Sequence, residues 1–133
     1  MIVKPHRLIG LHPDLIYLML HVGGKTPIFV VEGIRSPERQ AQLLAAGASQ
    51  TKNSRHLTGH AVDITPILPG TVDKPSWHWP HYFELAKIVK DSASSLRISV
   101  EWGGDWTTIK DGPHWQLSWG VYPLDQKSLT VPA

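Results

Sequence analysis

The sequence predicts an α+β fold in which helices come first and a small antiparallel sheet follows. Two observations carry this prediction. Segments with apolar residues at helical spacing follow helix-start residues, and short β-branched runs are separated by turn-forming residues. The length of 133 residues suits one domain, so we expect residues 1–133 to form a single unit.

The first half of the chain contains two predicted helices and one predicted strand. An apolar stretch covers residues 12–21, and the two glycines at 23–24 predict its end. Residues 28–31 are mostly β-branched and predict a strand. Residues 36–38 are Ser-Pro-Glu, which is typical of a helix start, and Gly47 predicts the end of that helix.

The second half of the chain contains mostly strands and loops. Four prolines lie in the region 66–80 and predict a long irregular loop. Periodicity and turn residues predict a loop at 50–58, a strand at 61–65, a helix at 82–91, strands at 98–102 and 114–119, and a loosely held strand or coil after residue 123.

The composition excludes several classes of protein. The chain has no cysteine, which excludes disulfides, a thiolate zinc site and a cysteine nucleophile. The net charge is only +2, and no run of Lys and Arg forms a nucleic-acid-binding arm. Prolines and charges interrupt the N-terminus where a signal peptide needs an apolar core, and the apolar run 15–20 is too short for a membrane span. We expect a monomer without nucleic-acid or membrane partners, made in the cytoplasm without an export signal.

Three residues far apart in the sequence predict a zinc site: His56, Asp63 and His114. Imidazole nitrogen and carboxylate oxygen are the zinc ligands available in a chain without thiolates. Gly59 lets the chain turn, so that the side chains before and after it can converge. Three protein ligands leave one position open, as in hydrolytic zinc sites, and Asp111 offers a further carboxylate beside them.

Simpler interpretations of these residues remain open on spacing alone. Most histidines lie at the surface or in the core, which is what we expect of His6, His12, His21, His78 and His81. His60 lies three residues from Asp63, an offset that points side chains of a strand to opposite faces. Asp111 precedes a glycine, and Asp-Gly is a favoured turn pair.

Four motifs in the same order resemble those of the VanX- and VanY-like zinc peptidases, a family of D-Ala-D-Ala carboxypeptidases and L-alanyl-D-glutamate endopeptidases. Residues 54–63 match the pattern SxHxxGxAxD, and residues 33–40 resemble the GxRS…Q segment. Residues 101–106 (EWGGDW) and 111–114 (DxxH) resemble the C-terminal part. The resemblance extends in particular to the short, single-domain endolysins of bacteriophages.

The resemblance implies a reaction centre and a fold. It implies that His56, Asp63 and His114 bind Zn²⁺, and that Asp111 acts as general base and then as general acid toward the departing nitrogen. The implied fold is the compact α+β fold shared by DD-peptidases and the zinc domain of hedgehog-type proteins. Many carboxypeptidases of the family carry glutamate where this chain has Asp111, and the shorter side chain favours the endopeptidase activity.

Arg35, Gln40 and Ser54 are the candidate substrate-binding residues near the first two motifs. Arg35 would bind the scissile carbonyl oxygen as negative charge develops, or a substrate carboxylate; a salt bridge at the helix end is the alternative. Gln40 would orient the substrate or Arg35. Ser54 would form a hydrogen bond near the site or cap a loop.

Aromatic and glycine residues surround the third motif. Trp106 either packs in the core and site wall or lines a groove for a peptide stem. The glycines at 103–104 would let the backbone approach an extended substrate closely. Glu101 is an alternative carboxylate, to which the resemblance gives no role as a base.

The implied function is zinc-dependent hydrolysis of the L-Ala–D-Glu bond in peptidoglycan stem peptides. Such an endolysin would wait in the host cytoplasm and reach the cell wall at lysis. The alternatives are a D,D- or L,D-carboxypeptidase of peptidoglycan and a zinc-binding wall-recognition module without turnover. Asp111 argues against the module, because a site without turnover has no need of a base.

Overall fold

The computed structural model describes residues 1–47 and 54–123. Five strands and three α-helices make up most of this part, and short 3-10 helices cover Pro5–Leu8, Arg55–Thr58 and Gly103–Asp105. In chain order the main elements are β1 (Ile2–Val3), α1 (Pro13–Lys25), β2 (Ile28–Glu32), α2 (Pro37–Ala45), β3 (Ala61–Pro66), α3 (Trp79–Leu96), β4 (Val100–Trp102) and β5 (His114–Leu117).

The strands form one sheet in the order β1-β2-β3-β5-β4. The predicted α+β class is confirmed, although strands and helices alternate along the chain instead of the helices coming first. The expected antiparallel pairing holds for every pair except β1 with β2, which is parallel. No pattern in the sequence predicted β1, because a strand of two residues is too short to show alternation.

The two faces of the sheet have different roles. Side chains alternate between the faces along a strand, and Val62, Ile64, Trp115 and Leu117 all belong to the hydrophobic core. Buried residues of α1 and α3 complete that core, and the two helices contact each other. The intervening side chains of β3 and β5 therefore lie on the opposite face.

Helix α1 continues through the two glycines that were predicted to end it. Gly23 is buried, and a side chain added there would collide with Ile2 of β1. The glycine therefore provides space for strand-on-helix packing rather than a helix stop. The predicted cap of α2 is confirmed, since the Ser36 hydroxyl accepts a hydrogen bond from the Arg39 amide.

The remaining predicted elements differ mainly in their bounds. Helix α3 extends beyond the predicted 82–91 at both ends, while β4 and β5 are shorter than predicted. The predicted loop at 50–58 was wrong at Arg55–Thr58, which is a 3-10 helix, and residues 50–53 lie outside the described part, as does the chain after residue 123. In the ranges 1–47 and 54–123, no helix combines the length and the apolar character that crossing a bilayer requires.

Candidate metal centre

Two of the three predicted ligands face each other across neighbouring strands. Asp63 of β3 is paired with His114 of β5 in the antiparallel register, on the sheet face opposite the core. The Asp63 Oδ1 oxygen lies 3.2 Å from His114 Nδ1. The register of the sheet thus brings together residues that are 51 positions apart.

The third predicted ligand, His56, lies in the 3-10 helix that precedes β3. The Ser54 hydroxyl caps this helix by accepting a hydrogen bond from the His56 amide. Gly59 ends it with φ +77°, in the left-handed region that glycine adopts readily, and its α-carbon packs against the Gly10 carbonyl. His56 Nε2 lies 3.1 Å from Asp63 Oδ1 as a result.

His56, Asp63 and His114 together form a group that could hold a metal ion. One ligand atom from each lies within 4.8 Å of the other two. In the described ranges, this is the only group of three or more His, Cys, Asp or Glu side chains with such geometry. Both histidines are buried, with 2% and 6% of their surfaces exposed, so their positions are set by surrounding packing.

The outer nitrogens of the two imidazoles are held by hydrogen-bond acceptors. His56 Nδ1 lies 2.8 Å from the Gly33 carbonyl oxygen, and His114 Nε2 lies 2.8 Å from Gln116 Oε1. A carbonyl oxygen can only accept, so these ring nitrogens carry the protons. In the neutral imidazoles, the nitrogens facing Asp63 then present lone pairs. Three electron-rich atoms converge, which is the arrangement a divalent cation needs.

The orientation of the Gln116 amide follows from its second partner. Its Nε2 group donates to Glu101 Oε1 at 3.3 Å, across the paired positions of β4 and β5. An ionised carboxylate only accepts hydrogen bonds, so the amide oxygen must face His114. Glu101 therefore acts on the site through Gln116 and His114, and it does not line the cavity described below.

The charges in this group perturb one another. Burial works to raise the pKa of Asp63, but when the rings of His114 and His56 are doubly protonated, their hydrogen bonds to Asp63 and their charges outweigh burial, so the pKa is lowered. Burial works to lower the pKa of His114, but the hydrogen bond with Asp63 and its charge raise it overall. Asp63 is thus ionised, as a ligand must be.

Asp111 lies in the loop that leads into β5, close to the ligand group. Its amide donates to the Gly103 carbonyl at 3.0 Å, and the indole of Trp102 donates to the carbonyl of the next residue, Gly112, at 2.7 Å. Burial raises the pKa of the Asp111 carboxyl, and the charge of Asp63 raises it further. A carboxylate with a raised pKa accepts a proton more readily.

The ligand group opens into a cavity of about 720 Å³. The predicted site residues that line it are Arg35, Ser54, His56, Asp63, Trp106, Asp111 and His114. Trp106 lies beside His114, with their ring centroids 5.0 Å apart. The cavity wall also includes Arg39, Arg55 and Trp119, which the motifs did not single out.

Gln40 does not line the cavity but is buried beside Arg35. Its Oε1 atom accepts a hydrogen bond from Arg35 Nη1 at 2.6 Å. Arg35 Nη2 donates to Glu32, in the salt bridge that was the alternative interpretation. Gln40 was expected to orient either the substrate or Arg35, and this contact agrees with the second expectation.

The glycines at 103–104 make close contacts within the protein. Both are buried, and they lie against the main chain of Asp111 and the ring of Trp102, respectively. A side chain at Gly103 would collide with the Asp111 carbonyl. Gly103 therefore provides space for the Asp111 loop, and neither glycine lines the cavity.

Comparisons with known proteins identify a family that this chain matches. A family model for phage L-alanyl-D-glutamate peptidases matches residues 4–117. The L-alanyl-D-glutamate peptidase of Listeria phage A118 is 38% identical over 98 residues, and that of Escherichia phage T5 is 31% identical over 97 residues. These matches cover 74% and 70% of this chain, but 33% and 68% of the two relatives, so the chain spans about a third of the Listeria phage protein.

Two solved structures share the fold. The Serratia marcescens L-Ala D-Glu endopeptidase ChiX is 44% identical, with a TM-score of 0.82 over 89% of this chain and 88% of that one. The D,D-dipeptidase VanXYg is 18% identical, with a TM-score of 0.53 over 80% of this chain and 50% of that one, and this likeness concerns the fold. On the family match and these relatives, the chain belongs to the phage L-alanyl-D-glutamate peptidase family.

Proposed function

We propose that the protein is a zinc-dependent endopeptidase that hydrolyses the L-Ala–D-Glu bond of peptidoglycan stem peptides. The observation that carries the proposal is the convergence of two imidazoles and a carboxylate at the base of an open cavity, with Asp111 in the same wall. The names of the family and of its relatives support the choice of bond.

His56, Asp63 and His114 would hold the zinc ion. The donor set fits, since the ring nitrogens facing Asp63 carry lone pairs and the outer nitrogens are fixed by acceptors. A zinc ion held there would supply Lewis-acid chemistry, acidifying a water molecule for attack and polarising the scissile carbonyl.

Asp111 is the proposed general base. It lines the cavity beside the ligand group, and its raised pKa suits a group that takes a proton from the attacking water. The protonated carboxyl then gives that proton to the departing nitrogen of D-Glu. The main-chain contacts with Gly103 hold the loop in place through both transfers.

The substrate would be bound or oriented by Arg35, Gln40, Ser54 and Trp106. Arg35 carries a fixed positive charge, held by Glu32 and Gln40, that stabilises negative charge on the scissile carbonyl oxygen. Trp106 provides an apolar wall for the peptide stem. Ser54 lines the cavity and caps the helix that carries His56.

The proposed setting is phage lysis. Residues 1–133 would act as a single, monomeric peptidase domain that is held in the host cytoplasm and reaches the cell wall when the membrane is opened. The phage relatives support this setting.

Digestion of purified sacculi with and without a chelator tests the proposal. Mass spectrometry of the products should reveal new N-terminal D-Glu, and the chelator should prevent its formation. Release of D-Ala instead would assign a carboxypeptidase activity. Intact sacculi after incubation with the zinc-loaded protein would overturn the proposal.

A further inference from the structure

The cavity wall carries more positive charge than its acidic side chains neutralise. Asp63 of the ligand group and the neighbouring Asp111 balance the double charge of the proposed zinc ion. Glu32 pairs with Arg35. Arg39 and Arg55 also line the cavity, and neither forms an ion pair within residues 1–47 and 54–123. Two uncompensated guanidinium groups therefore belong to the wall that surrounds the substrate.

The guanidinium of Arg55 is already engaged in the fold. It donates to the Leu117 carbonyl from Nε at 3.2 Å and from Nη2 at 2.7 Å, and to the Tyr122 carbonyl at 2.8 Å. It also lies 4.0 Å from the centre of the Trp119 ring, and only 3% of the residue is exposed. Arg55 thus adds fixed positive charge but has little freedom to follow a ligand.

Arg39, by contrast, is free to bind. It is exposed on α2, and its guanidinium has no hydrogen-bond or ion-pair partner in the part of the chain that the structure describes. Leu43, one helical turn further on, lines the same cavity, so this face of α2 is directed toward it.

The proposed substrate carries an anion next to the scissile bond. In a stem peptide, D-Glu is joined to the following residue through its side-chain carboxyl, which leaves the α-carboxylate free. That carboxylate is attached to the carbon bonded to the scissile nitrogen. Guanidinium is the side chain best matched to a carboxylate, because it can donate two parallel hydrogen bonds.

We propose that Arg39 binds the free α-carboxylate of D-Glu and makes the enzyme selective for stem peptides in which this group is not amidated. The inference rests on the proposed function and extends it to the charge of the substrate. Arg35 and Arg55 are held by protein acceptors, so among the wall residues in the described ranges Arg39 is the cationic group that can turn toward the ligand.

Two synthetic peptides test this assignment, one with D-Glu and one with D-isoglutamine, which replaces the carboxylate by an amide of nearly the same shape. Wild type should cleave the D-Glu peptide with a kcat/KM about 10- to 100-fold higher, as expected for a hydrogen bond to a charged group. Arg39→Gln should lose this preference by slowing cleavage of the D-Glu peptide alone, and Arg39→Lys should keep part of it.

Lys87→Gln is the matched control, because Lys87 is an exposed cation of α3 that does not line the cavity. It should leave both rates and the preference unchanged. Equal loss on both peptides in Arg39→Gln, or no loss on either, would overturn the assignment. Failure of the wild type to cut either peptide between L-Ala and D-Glu would instead overturn the proposed function.

Discussion

Two of the neighbouring pairs of histidines in the molecule differ in their electrostatic surroundings. The rings of His56 and His114 lie 5.0 Å apart, and those of His12 and His60 lie 5.7 Å apart. The first pair shares the Asp63 carboxylate. The second pair has no carboxylate bonded to either ring within residues 1–47 and 54–123. Burial lowers the pKa of both rings and the charge of Arg55 lowers it further, although the charge of Asp14 works to raise the pKa of His12.

The comparison shows that close imidazoles do not by themselves make a metal site. Burial and the Arg55 and His12 charges lower the pKa of His60 to about 4, whereas Asp63 raises the pKa of His114 against the effect of burial. The carboxylate and the acceptors on the outer ring nitrogens distinguish the pair that suits a cation. The other pair suits neutral rings, of which His60 is buried and His12 half-buried.

The largest expected effect follows from removing that carboxylate. Asp63→Asn should abolish zinc binding and reduce wall hydrolysis to that of chelator-treated wild type, because the charged ligand shared by both histidines is lost. Metal analysis of the dialysed protein measures the first effect. Asp73→Asn removes an exposed acid outside the cavity and should change neither quantity. One bound zinc per Asp63→Asn chain would contradict the assignment.

Asp111→Asn should separate metal binding from turnover. The variant should keep one zinc ion but lose activity by about 10²- to 10⁴-fold, as expected when a general base is removed. The rate of cleavage of the D-Glu peptide and the zinc content are measured on the same sample and compared with those of the wild type. A variant that lyses sacculi at the wild-type rate would show that Asp111 is not the base.

Acidification should destabilise the protein through His60, which belongs to the pair formed with His12. Between pH 6.5 and about 4 the unfolded chain binds a proton at His60 that the folded chain does not, so stability falls as the pH falls through this window. The contribution is on the order of 3 kcal/mol, at about 1.4 kcal/mol per pKa unit. Denaturant unfolding at pH 7 and pH 4.5 should show a smaller loss for His60→Gln than for wild type.

His6→Gln serves as the control for that measurement, because His6 is exposed and lies outside the cavity. It should lose as much stability on acidification as the wild type. If His60→Gln lost as much stability on acidification as the wild type, His60 would not be buried in its neutral form. Zinc content should be unchanged in both variants at neutral pH.

The smallest expected effect concerns the residue that holds His114 in place. Gln116→Leu should weaken zinc affinity by about 10- to 100-fold, because the outer nitrogen of His114 loses its acceptor. Competition with a chromogenic chelator measures the affinity. Gln42→Leu, an equivalent change at an exposed position, should leave it unchanged. Unaltered affinity in Gln116→Leu would show that Gln116 does not fix the ring.

The sequence predicted the parts of the site that are fixed by local patterns. The alternation of β3 and β5 placed Asp63 and His114 on strands. His60 was predicted to point away from Asp63, and its ring contacts Thr58 instead. The cap at Ser36 and the glycine turn at Gly59 were also visible in the sequence. These features depend only on residues close together in the chain.

Features that depend on distant pairing were not predicted. The Gln116–Glu101 contact requires the register between β4 and β5, which no local pattern specifies. Gly23 was interpreted as a helix stop because its contact with Ile2 involves a strand too short to detect. Arg39 could not be singled out from the sequence, because this requires knowing that the other arginines of the cavity wall are bonded to protein acceptors.

Titration of the metal-free protein with zinc tests the central claim most directly. Hydrolysis of the L-Ala–D-Glu bond should rise in proportion to added zinc and reach its plateau at one equivalent, while Asp63→Asn should stay inactive throughout. Full hydrolysis by wild type in the presence of chelator, without any added zinc, would contradict the account.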